Sequence, residues 1–323
     1  MLDPRSSEPF ISGPAVATIG VFDGVHRGHR ALLESVLMRA AALEATPVAI
    51  SFHPHPIEIL ARGVPVHRLA SREQKLRALA ELGFTHAWLL PFSPAMAALS
   101  PRAFLDVLLA RLDLRELWVG ADFRFGNRRE GTIDLLRELG RERDFTAEVF
   151  PPVLDAGCAW SSSRVREALR RGAVEEASRV LGRTYLLEGR VGFGRGEGGK
   201  LLVPTANLVF PEGTCLPARG VYAGWSEIAG GVVPSAINVG RRPTLTDDAA
   251  DTVEVHLIDW SGDLRGKVLP VYFEARVRAE IRFDGLPALK EAVARDIEEA
   301  RLRLQGKVPK IGDPVLPPIE GIR

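Results

Sequence analysis

The feature that most constrains the fold of this chain is a change of pattern near residue 183. Before that point, short apolar runs, for example at 15–21 and 47–52, alternate with helical patterns such as 28–44. This β-α-β-α order predicts a parallel sheet covered by helices. After that point, strand-like runs separated by Gly and Pro follow one another without helices, which predicts an antiparallel barrel or sandwich. We therefore expect an α/β domain at 1–183 and a mostly β domain at 184–323.

Local signals place individual elements within these two halves. Ser71 with Gln74, and Ser100 before Pro101, have the spacing of helix N-caps. In the second half, the expected strands lie at 185–191, 220–228, 232–238, 253–260 and 268–277. One helix and a Pro-rich tail are expected to end the chain. The helix is predicted because apolar residues recur at spacings of three and four, namely Leu286, Leu289, Val293, Ile297, Ala300 and Leu304.

The balance of charge excludes one broad class of function. The 323 residues carry 42 Lys and Arg against 41 Asp and Glu, so the chain lacks the basic excess of a general nucleic-acid binder. Its two cysteines, Cys158 and Cys215, are too few for a disulfide framework or a four-cysteine zinc site. No apolar run approaches the roughly 20 residues that span a bilayer, and the N-terminus lacks a signal-peptide pattern. We expect a cytoplasmic protein without membrane or nucleic-acid partners.

A histidine motif lies where the first strand meets the first helix. Residues 20–29 read G-V-F-D-G-V-H-R-G-H. Open parallel sheets bind ligands at the carboxyl ends of their strands, and a helix N-terminus attracts phosphate. His26 and His29 can donate hydrogen bonds to phosphate oxygens and neutralise charge on a leaving pyrophosphate. The candidate phosphate-binding residues around them are Gly20, Phe22, Asp23, Gly24 and Gly28.

Two other interpretations of these histidines stay open from the residues alone. The histidines can be incidental at the start of a helix. They can also belong to a zinc site together with His53 and His55. The zinc interpretation is the weaker one, because a catalytic zinc site usually needs three suitable ligands and an orienting carboxylate.

A cluster of hydroxyls precedes a further helical pattern. Ser161, Ser162 and Ser163 are expected to cap a helix at 164–171, with Arg166 in its first turn. The hydroxyls, the helix N-terminus and the guanidinium group together favour an anion site. Taken alone, the same residues form an ordinary cap with a solvated arginine.

A glycine run and a short motif open the second half. Part of the run at 192–199 matches a dinucleotide fingerprint and part matches a Walker A motif, but neither is followed by a helix, and Leu201 stands where the latter needs Ser or Thr. We expect instead a flap whose backbone amides close over phosphates. The candidate ligands in it are Gly194, Gly196 and Gly198. The sequence P-T-A-N follows at 204–207, and a bare tetrapeptide of this kind is more typical of a turn.

One carboxylate of the second half is placed by strand alternation. Along the strand expected at 253–260, Glu254 and His256 lie on the opposite face from Val253 and Val255. Without further information, Glu254 is more typical of an exposed strand residue than of a catalytic base.

These motifs, in this order, resemble those of the bacterial bifunctional riboflavin kinase/FMN adenylyltransferase family, also called FAD synthetases. In the first half the matching segments are G-x-F-D-G-x-H-x-G-H at 20–29, S-F-H-P-H-P at 51–56, G-A-D-F-R-F-G at 120–126 and S-S-S-R-V-R at 161–166. In the second half they are P-T-A-N at 204–207, V-E-V-H-L-I-D at 253–259 and R-x-E-x-x-F at 278–283. Four positions depart from the family pattern. His53 stands where an acid is usual, Ser163 replaces a Thr, Gly199 replaces an Arg, and Leu202 replaces a Gly.

The resemblance implies a Rossmann-like nucleotidyltransferase domain followed by a riboflavin-kinase barrel with a closing helix. The kinase half would phosphorylate riboflavin with ATP, using Glu254 as general base and Thr205 and Asn207 to hold Mg²⁺ and the ATP phosphates. The first half would adenylylate FMN to FAD and release pyrophosphate. The residues implied for adenylylation are His26, His29, Ser162, Ser163 and Arg166. Asp122 and Arg124 are implied on the flavin side of that site, and Arg278 and Glu280 on the flavin side of the kinase site.

Two alternatives to a bifunctional enzyme stay open at this point. The changes at Gly199 and Leu202 are compatible with a monofunctional FMN adenylyltransferase that has a degenerate kinase domain. A non-catalytic flavin-binding regulator with both folds is the other alternative, although the intact Glu254, His26 and His29 argue against it. In either case we expect small-molecule substrates and a monomer or a weak homo-oligomer.

Overall fold

A computed structural model of the chain describes residues 11–61, 67–193, 203–229, 231–241 and 251–310. Between Ser161 and Ser162 the chain divides into two compact units. The domain boundary expected at residue 183 stays a prediction.

The first unit contains a five-stranded parallel sheet with the strand order β3-β2-β1-β4-β5. Two separate apolar cores flank this sheet, which confirms the predicted Rossmann-like fold. Its elements are β1 (Pro14–Ile19), α1 (Arg27–Ala42), β2 (Thr46–His53), α2 (Pro56–Leu60), α3 (Arg72–Glu81), β3 (His86–Pro91), α4 (Pro94–Ala97), α5 (Pro101–Leu109), β4 (Asp113–Gly120), a 3₁₀ turn (Asn127–Arg129), α6 (Ile133–Glu142), β5 (Thr146–Phe150), β6 (Leu154–Asp155) and β7 (Cys158–Ala159).

Strand β1 is buried on both of its faces. Ala17 and Ile19 pack into one apolar core, and Val16 packs into the other. A central parallel strand of this kind appears in the sequence as a continuous apolar run. The strand ends at Ile19, two residues before the predicted end, and the chain turns away at Phe22, which has a left-handed φ of 49°.

The parallel pairing brings the carboxyl ends of several strands to one edge of the sheet. Strand β1 pairs with β2 on one side and with β4 on the other. The segments at 20–29, 51–56 and 120–126 therefore leave the sheet at the same edge. The fold thus places three of the sequence motifs side by side.

The second unit is a closed six-stranded antiparallel barrel with the strand order β10-β11-β12-β9-β8-β13. Helix α9 covers three of its strands, and Ala300 and Leu304 of that helix share an apolar cluster with Ala223 and Tyr272 of the barrel. The predicted barrel and its closing helix are confirmed. The elements are α7 (Ser162–Arg170), α8 (Val174–Leu181), β8 (Tyr185–Val191), β9 (Ala206–Val209), β10 (Gly220–Ile228), β11 (Gly231–Arg241), β12 (Asp251–Leu257), β13 (Val268–Ala279) and α9 (Leu286–Leu304).

Several other local features differ from the sequence prediction. Helix α7 begins at Ser162 rather than at residue 164, so Ser162 and Ser163 lie in its first turn instead of preceding it. Serine is tolerated there because the first N–H groups of a helix have no intrahelical acceptor. Helix α8 and the four-residue strand β9 were not predicted. Strand β12 ends at Leu257, short of the expected 260, because Asp259 has a left-handed φ of 57°.

Candidate active sites

A buried carboxylate holds the loop between β1 and α1 in place. Asp23 is 3% exposed, and its oxygens accept hydrogen bonds from the backbone N–H groups of Leu69 and Ala70 at 3.1 to 3.2 Å. Gly24, next in the chain, has a φ of 80°, which glycine adopts without strain. The motif predicts Asp23 as a phosphate ligand, whereas its hydrogen bonds suit it to anchoring this loop.

The two histidines of the motif stack on each other at the start of α1. The ring centroids of His26 and His29 are 3.6 Å apart, and the rings are inclined by 21°. The Nδ1 atom of His26 accepts a hydrogen bond from the backbone N–H of His29 at 3.3 Å, which makes His26 the N-cap of the helix. Gly28 lies between them in close contact with the chain, because a Cβ there would lie 3.1 Å from the carbonyl oxygen of Trp160.

A cavity of about 640 Å³ opens at the carboxyl edge of the sheet. Five of the predicted site residues line it: Gly20, Phe22, His29, Asp122 and Arg124. Much of the remaining wall is aromatic, with Phe52, Phe92, Phe104 and Phe123. Such a wall suits a planar ring system. Gly24, His26 and Gly28 do not line this cavity. Gly24 lies in the loop, His26 caps α1 and Gly28 lies in the first turn of that helix.

Burial keeps His29 in its neutral form. Burial lowers the pKa of His29 well below its ordinary value of 6.5, and the charges of His26 and Lys75 lower it further. Its Nδ1 atom is buried and has no hydrogen-bond partner among the described residues. A neutral imidazole with an unpaired nitrogen can hydrogen-bond a ligand, which suits phosphate binding better than the charge neutralisation that the sequence suggested.

The lowered pKa of His29 predicts an acid-dependent loss of stability. When the pH falls below about 6.5, the unfolded chain binds a proton at this residue before the folded chain does. The free energy of unfolding therefore decreases as the pH falls, by up to about 1.4 kcal/mol per pH unit for one proton. Thermal unfolding at pH 7.5 and pH 5.5 should show a smaller acid-induced drop in Tm for His29→Gln than for the unsubstituted chain. Equal drops in the two proteins would contradict this assignment.

A buried lysine supports the same loop and was not found from the sequence. Lys75 is 7% exposed, and its Nζ donates a hydrogen bond to Ser51 Oγ at 3.1 Å. Ser51 Oγ in turn donates to the carbonyl oxygen of Val21 at 2.9 Å. Burial lowers the pKa of Lys75 to about 8. The sequence does hold one sign that Lys75 is buried. Lys75 and the buried Leu79 lie four residues apart and therefore on one face of α3.

The remaining predicted phosphate ligands lie in α7 and in the glycine-rich flap. Ser162, Ser163 and Arg166 lie in the first turns of α7, which is part of the second unit. The flap positions lie outside the described residues: Gly194, Gly196, Gly198, Gly199 and Leu202. Their roles stay predictions.

The register of the barrel places Glu254 between two asparagines. Glu254 of β12 pairs with Asn207 of β9 on one side and with Asn238 of β11 on the other. Directly opposed residues of an antiparallel sheet point to the same face. The neighbouring Val253 and Val255 are fully buried on the other face, as the alternation predicted. The barrel therefore lines up a carboxylate and two amides on one surface.

Two cavities meet beside this surface at Thr205. One, of about 360 Å³, lies between the barrel and α9 and is lined by Thr205, Asn238 and Glu254, among others. The other, of about 420 Å³, is lined by Pro204, Thr205, Trp260 and further residues of the 260–265 loop. Thr205 is the one residue that lines both of these described cavities. The arrangement can hold two different molecules that approach each other at Thr205 and Glu254.

Arg278 and Glu280, which were predicted on the flavin side, also line the cavity beside α9. The guanidinium group of Arg278 donates to both carboxylate oxygens of Asp296, at 2.8 and 2.6 Å, and lies over the ring of Phe283. Asp296 belongs to α9, so the ion pair fixes the helix against the barrel at the cavity. Arg278 is thus a wall residue whose charge is already balanced.

A histidine that the sequence analysis did not nominate fixes the P-T-A-N segment. The Nδ1 atom of His256 lies 2.9 Å from the carbonyl oxygen of Pro204. Since a carbonyl oxygen only accepts, His256 carries its proton on Nδ1 and donates it. His256 follows Glu254 by two residues on the same strand face. It therefore couples the position of Thr205 to that of Glu254.

The donors around Glu254 suit a hard cation. Thr205, Asn207 and Glu254 offer a hydroxyl, an amide oxygen and a carboxylate, and oxygen ligands are what Mg²⁺ prefers. Among the described residues, no group of three or more His, Cys, Asp or Glu side chains could hold a metal ion by itself. The set fits a cation that is bound jointly by the protein and by phosphate oxygens.

Each half of the chain matches the model of a known protein family. A family model described as FAD synthetase matches residues 9–164, and one described as riboflavin kinase matches residues 181–304. Proteins named bifunctional riboflavin kinase/FMN adenylyltransferase are 38% identical in Pseudomonas fluorescens and 37% identical in Escherichia coli K12. The alignments cover 88% of this chain and 92% and 91% of those proteins, respectively. The protein of that name from Bacillus subtilis is 30% identical over 302 residues.

A solved structure has the same overall fold. It is described as a macrolide-efflux protein from Streptococcus pneumoniae and matches this chain with a TM-score of 0.81 at 29% identity. The match covers 90% of this chain and 95% of that one. No helix within the described residues is long and apolar enough to cross a membrane.

Proposed function

This chain belongs to the family of bifunctional riboflavin kinases/FMN adenylyltransferases, and we propose that its two reactions take place at the two sites described above. The protein phosphorylates riboflavin to FMN and adenylylates FMN to FAD, with ATP as the second substrate of both steps. The first reaction is assigned to the cavities around Glu254, and the second to the cavity beside His29. The cross-strand register of Glu254 with Asn207 and Asn238 is the observation that carries the kinase assignment.

In the kinase site, Glu254 removes the proton from the terminal ribityl hydroxyl of riboflavin. A primary alcohol is a poor nucleophile at neutral pH, so a positioned base accelerates its attack on the γ-phosphorus of ATP. The bond from that phosphorus to the bridging oxygen breaks in the same step, and ADP leaves. The cavity beside α9 receives the flavin, and the cavity of the 260–265 loop receives ATP. His256 holds Thr205 between the two through its hydrogen bond to Pro204. Positioning of the two substrates supplies most of the remaining acceleration.

Thr205 and Asn207 are the residues that would hold Mg²⁺ in this site. Asn207 lies directly opposite the base Glu254 in the sheet. When bound, the cation neutralises charge on the transferring phosphate. Thr205 lines both cavities, so its hydroxyl is available at the junction where the phosphate is transferred.

The adenylylation site needs no general base. An oxygen of the FMN phosphate, already anionic, bonds to the α-phosphorus of ATP while the bond from that phosphorus to pyrophosphate breaks. His29 and the N-terminus of α1 stabilise charge on the phosphates by donating hydrogen bonds. We assign Ser162, Ser163 and Arg166 to the ATP phosphates as well, on the basis of their motif. Asp122 and Arg124 lie in the wall of the same cavity as His29 and are assigned to the flavin side.

The working context of the enzyme follows from its substrates and its surface. With a net charge of +1 and two free cysteines, we propose a cytoplasmic enzyme that acts on small molecules without nucleic acid. We propose that it works as a monomer or a weak homo-oligomer.

A product assay tests the proposed function. The purified protein is incubated with riboflavin, ATP and Mg²⁺, and flavins are separated by chromatography over time. FMN should appear first and FAD should follow. Accumulation of FMN alone would contradict the assignment of the first unit. Absence of both products, with FAD formed when FMN is supplied, would contradict the assignment of the barrel.

A further inference from the structure

Two arginines in a short loop after β4 line the cavity beside His29 and have no role in the mechanism above. Arg128 and Arg129 both lie in its wall, and both side chains are exposed. Within the described part of the chain, neither guanidinium group forms an ion pair or a side-chain hydrogen bond. Two positive charges thus face a substrate cavity without a counter-ion from the described part of the chain.

The loop holds these arginines in an unusual and well-anchored conformation. Both residues have left-handed backbone angles, with φ 50° at Arg128 and 61° at Arg129. Non-glycine residues rarely adopt this region, and such strain persists where the surrounding structure enforces it. Phe125 and Gly131 exchange two backbone hydrogen bonds, at 3.2 and 2.8 Å, and the N–H of Asn127 donates to the carbonyl of Leu99 at 2.7 Å. The loop is therefore closed at its base and tied to the segment between α4 and α5.

The charge of the cavity points to an anionic ligand at this loop. Among the described lining residues, the lysines and arginines are Arg124, Arg128 and Arg129, and the one acidic residue is Asp122. His29 is kept neutral by burial and nearby positive charge. Two substrates that both carry phosphate must nevertheless meet here. The positive charge in the wall of the cavity comes from the loop at 124–129.

Sheet order indicates which phosphate this loop receives. The His29 loop follows β1 and the arginine loop follows β4, and these two strands are neighbours in the sheet. In-line attack requires the nucleophilic phosphate to lie beside the α-phosphate of ATP. If ATP phosphates occupy the N-terminus of α1, the adjacent loop is placed to receive the attacking group.

We propose that Arg128 and Arg129 bind the terminal phosphate of FMN and orient it for attack on ATP. This inference rests on the proposed adenylylation site and adds to it the subsite of the nucleophile. Arginine suits this task because its planar fork of N–H groups matches a phosphate dianion. The backbone hydrogen bonds at the base of the loop place both residues in the cavity wall.

The test uses a double variant, Arg128→Gly with Arg129→Gly, in the full chain. Glycine accepts the left-handed backbone at both positions, so the fold should keep its Tm while the two charges are lost. The control is Asp144→Gly, which relieves a left-handed φ of 58° at an exposed site away from the cavity. Riboflavin phosphorylation by the same protein reports that the barrel is intact.

Steady-state kinetics of FAD formation from FMN then show whether the two arginines bind FMN, bind ATP or serve only the fold. We expect the KM for FMN to rise at least about tenfold, because two charge-assisted contacts to phosphate are lost. The KM for ATP should stay within about twofold, and the control should match the unsubstituted chain. Lumiflavin, a ring system without phosphate, should keep its inhibition constant against FMN.

Three results would overturn the inference. A raised KM for ATP with an unchanged KM for FMN would assign the arginines to ATP. A lowered Tm with loss of all FAD formation would make them structural residues. Unchanged kinetics would remove them from the site. A failure of the unsubstituted chain to make FAD from FMN would instead reject the proposed function, before any variant is compared.

Discussion

Replacing Glu254 with Gln is expected to lower the rate of riboflavin phosphorylation by a factor on the order of 10²–10⁴, the usual contribution of a general base. Gln has nearly the same shape, so the cross-strand pairs with Asn207 and Asn238 are retained. What is lost is the group that accepts the proton of the ribityl hydroxyl. The rate of FMN production, followed by chromatography with saturating ATP and Mg²⁺, measures the effect.

The matched control for this substitution is Glu274→Gln. Glu274 is another carboxylate on the barrel, in an ion pair with Lys307 at 3.6 Å, and lines neither cavity. A partly exposed ion pair at this distance contributes little to stability, so both activities should persist. FAD formation from supplied FMN should be unchanged in both variants. If Glu254→Gln keeps more than about a tenth of the kinase rate, Glu254 is not the base that this mechanism requires.

Replacing His29 with Gln is expected to lower FAD formation by a factor on the order of 10²–10³, comparable to the loss of one preorganised hydrogen-bond donor to a transition state. The Gln amide can occupy the region of Nε2 but leaves the position of Nδ1 empty. Riboflavin phosphorylation should continue at its full rate, so FMN should accumulate when riboflavin is supplied. The ratio of FAD to FMN at fixed time measures the effect.

The control for His29 is His86→Gln. His86 begins β3, at the edge of the sheet opposite to the cavity, and its Nδ1 lies 2.9 Å from Thr85 Oγ1. It has the same side-chain chemistry in the same unit, without contact to the site. We expect His86→Gln to form FAD normally. A similar loss in both variants would indicate a general effect on folding and would exclude a specific role of His29.

Elements with a strong local signal were predictable from the sequence. Strands β8 and β10 have the predicted bounds, and α9 spans the predicted apolar positions from Leu286 to Leu304. The capping box of Ser71 and Gln74 is also present. Strand β9 was missed because it has four residues and follows a proline. It is held in place by its pairing with β12, which no local pattern encodes.

The site residues also divide into those with a local sequence signal and those that depend on long-range contacts. His29 and Glu254 lie in motifs whose residue types suggest their chemistry, and the structure places both beside cavities. Lys75, His256 and Arg128 could not be assigned in this way. Their importance depends on contacts with residues distant in sequence, on burial, or on a backbone conformation, which appear only when the chain is folded. Asp23 shows the reverse case, because a motif residue serves to hold a loop.

The most direct test of the account is a crossed comparison of the two variants. The unsubstituted chain, Glu254→Gln and His29→Gln are each supplied with riboflavin or with FMN, together with ATP and Mg²⁺, and FMN and FAD are quantified. The account predicts that Glu254→Gln makes FAD from FMN but makes almost none from riboflavin. It predicts that His29→Gln converts riboflavin to FMN and forms little FAD from either substrate. If one substitution removed both reactions, or if neither separated them, the assignment of two independent sites would be wrong.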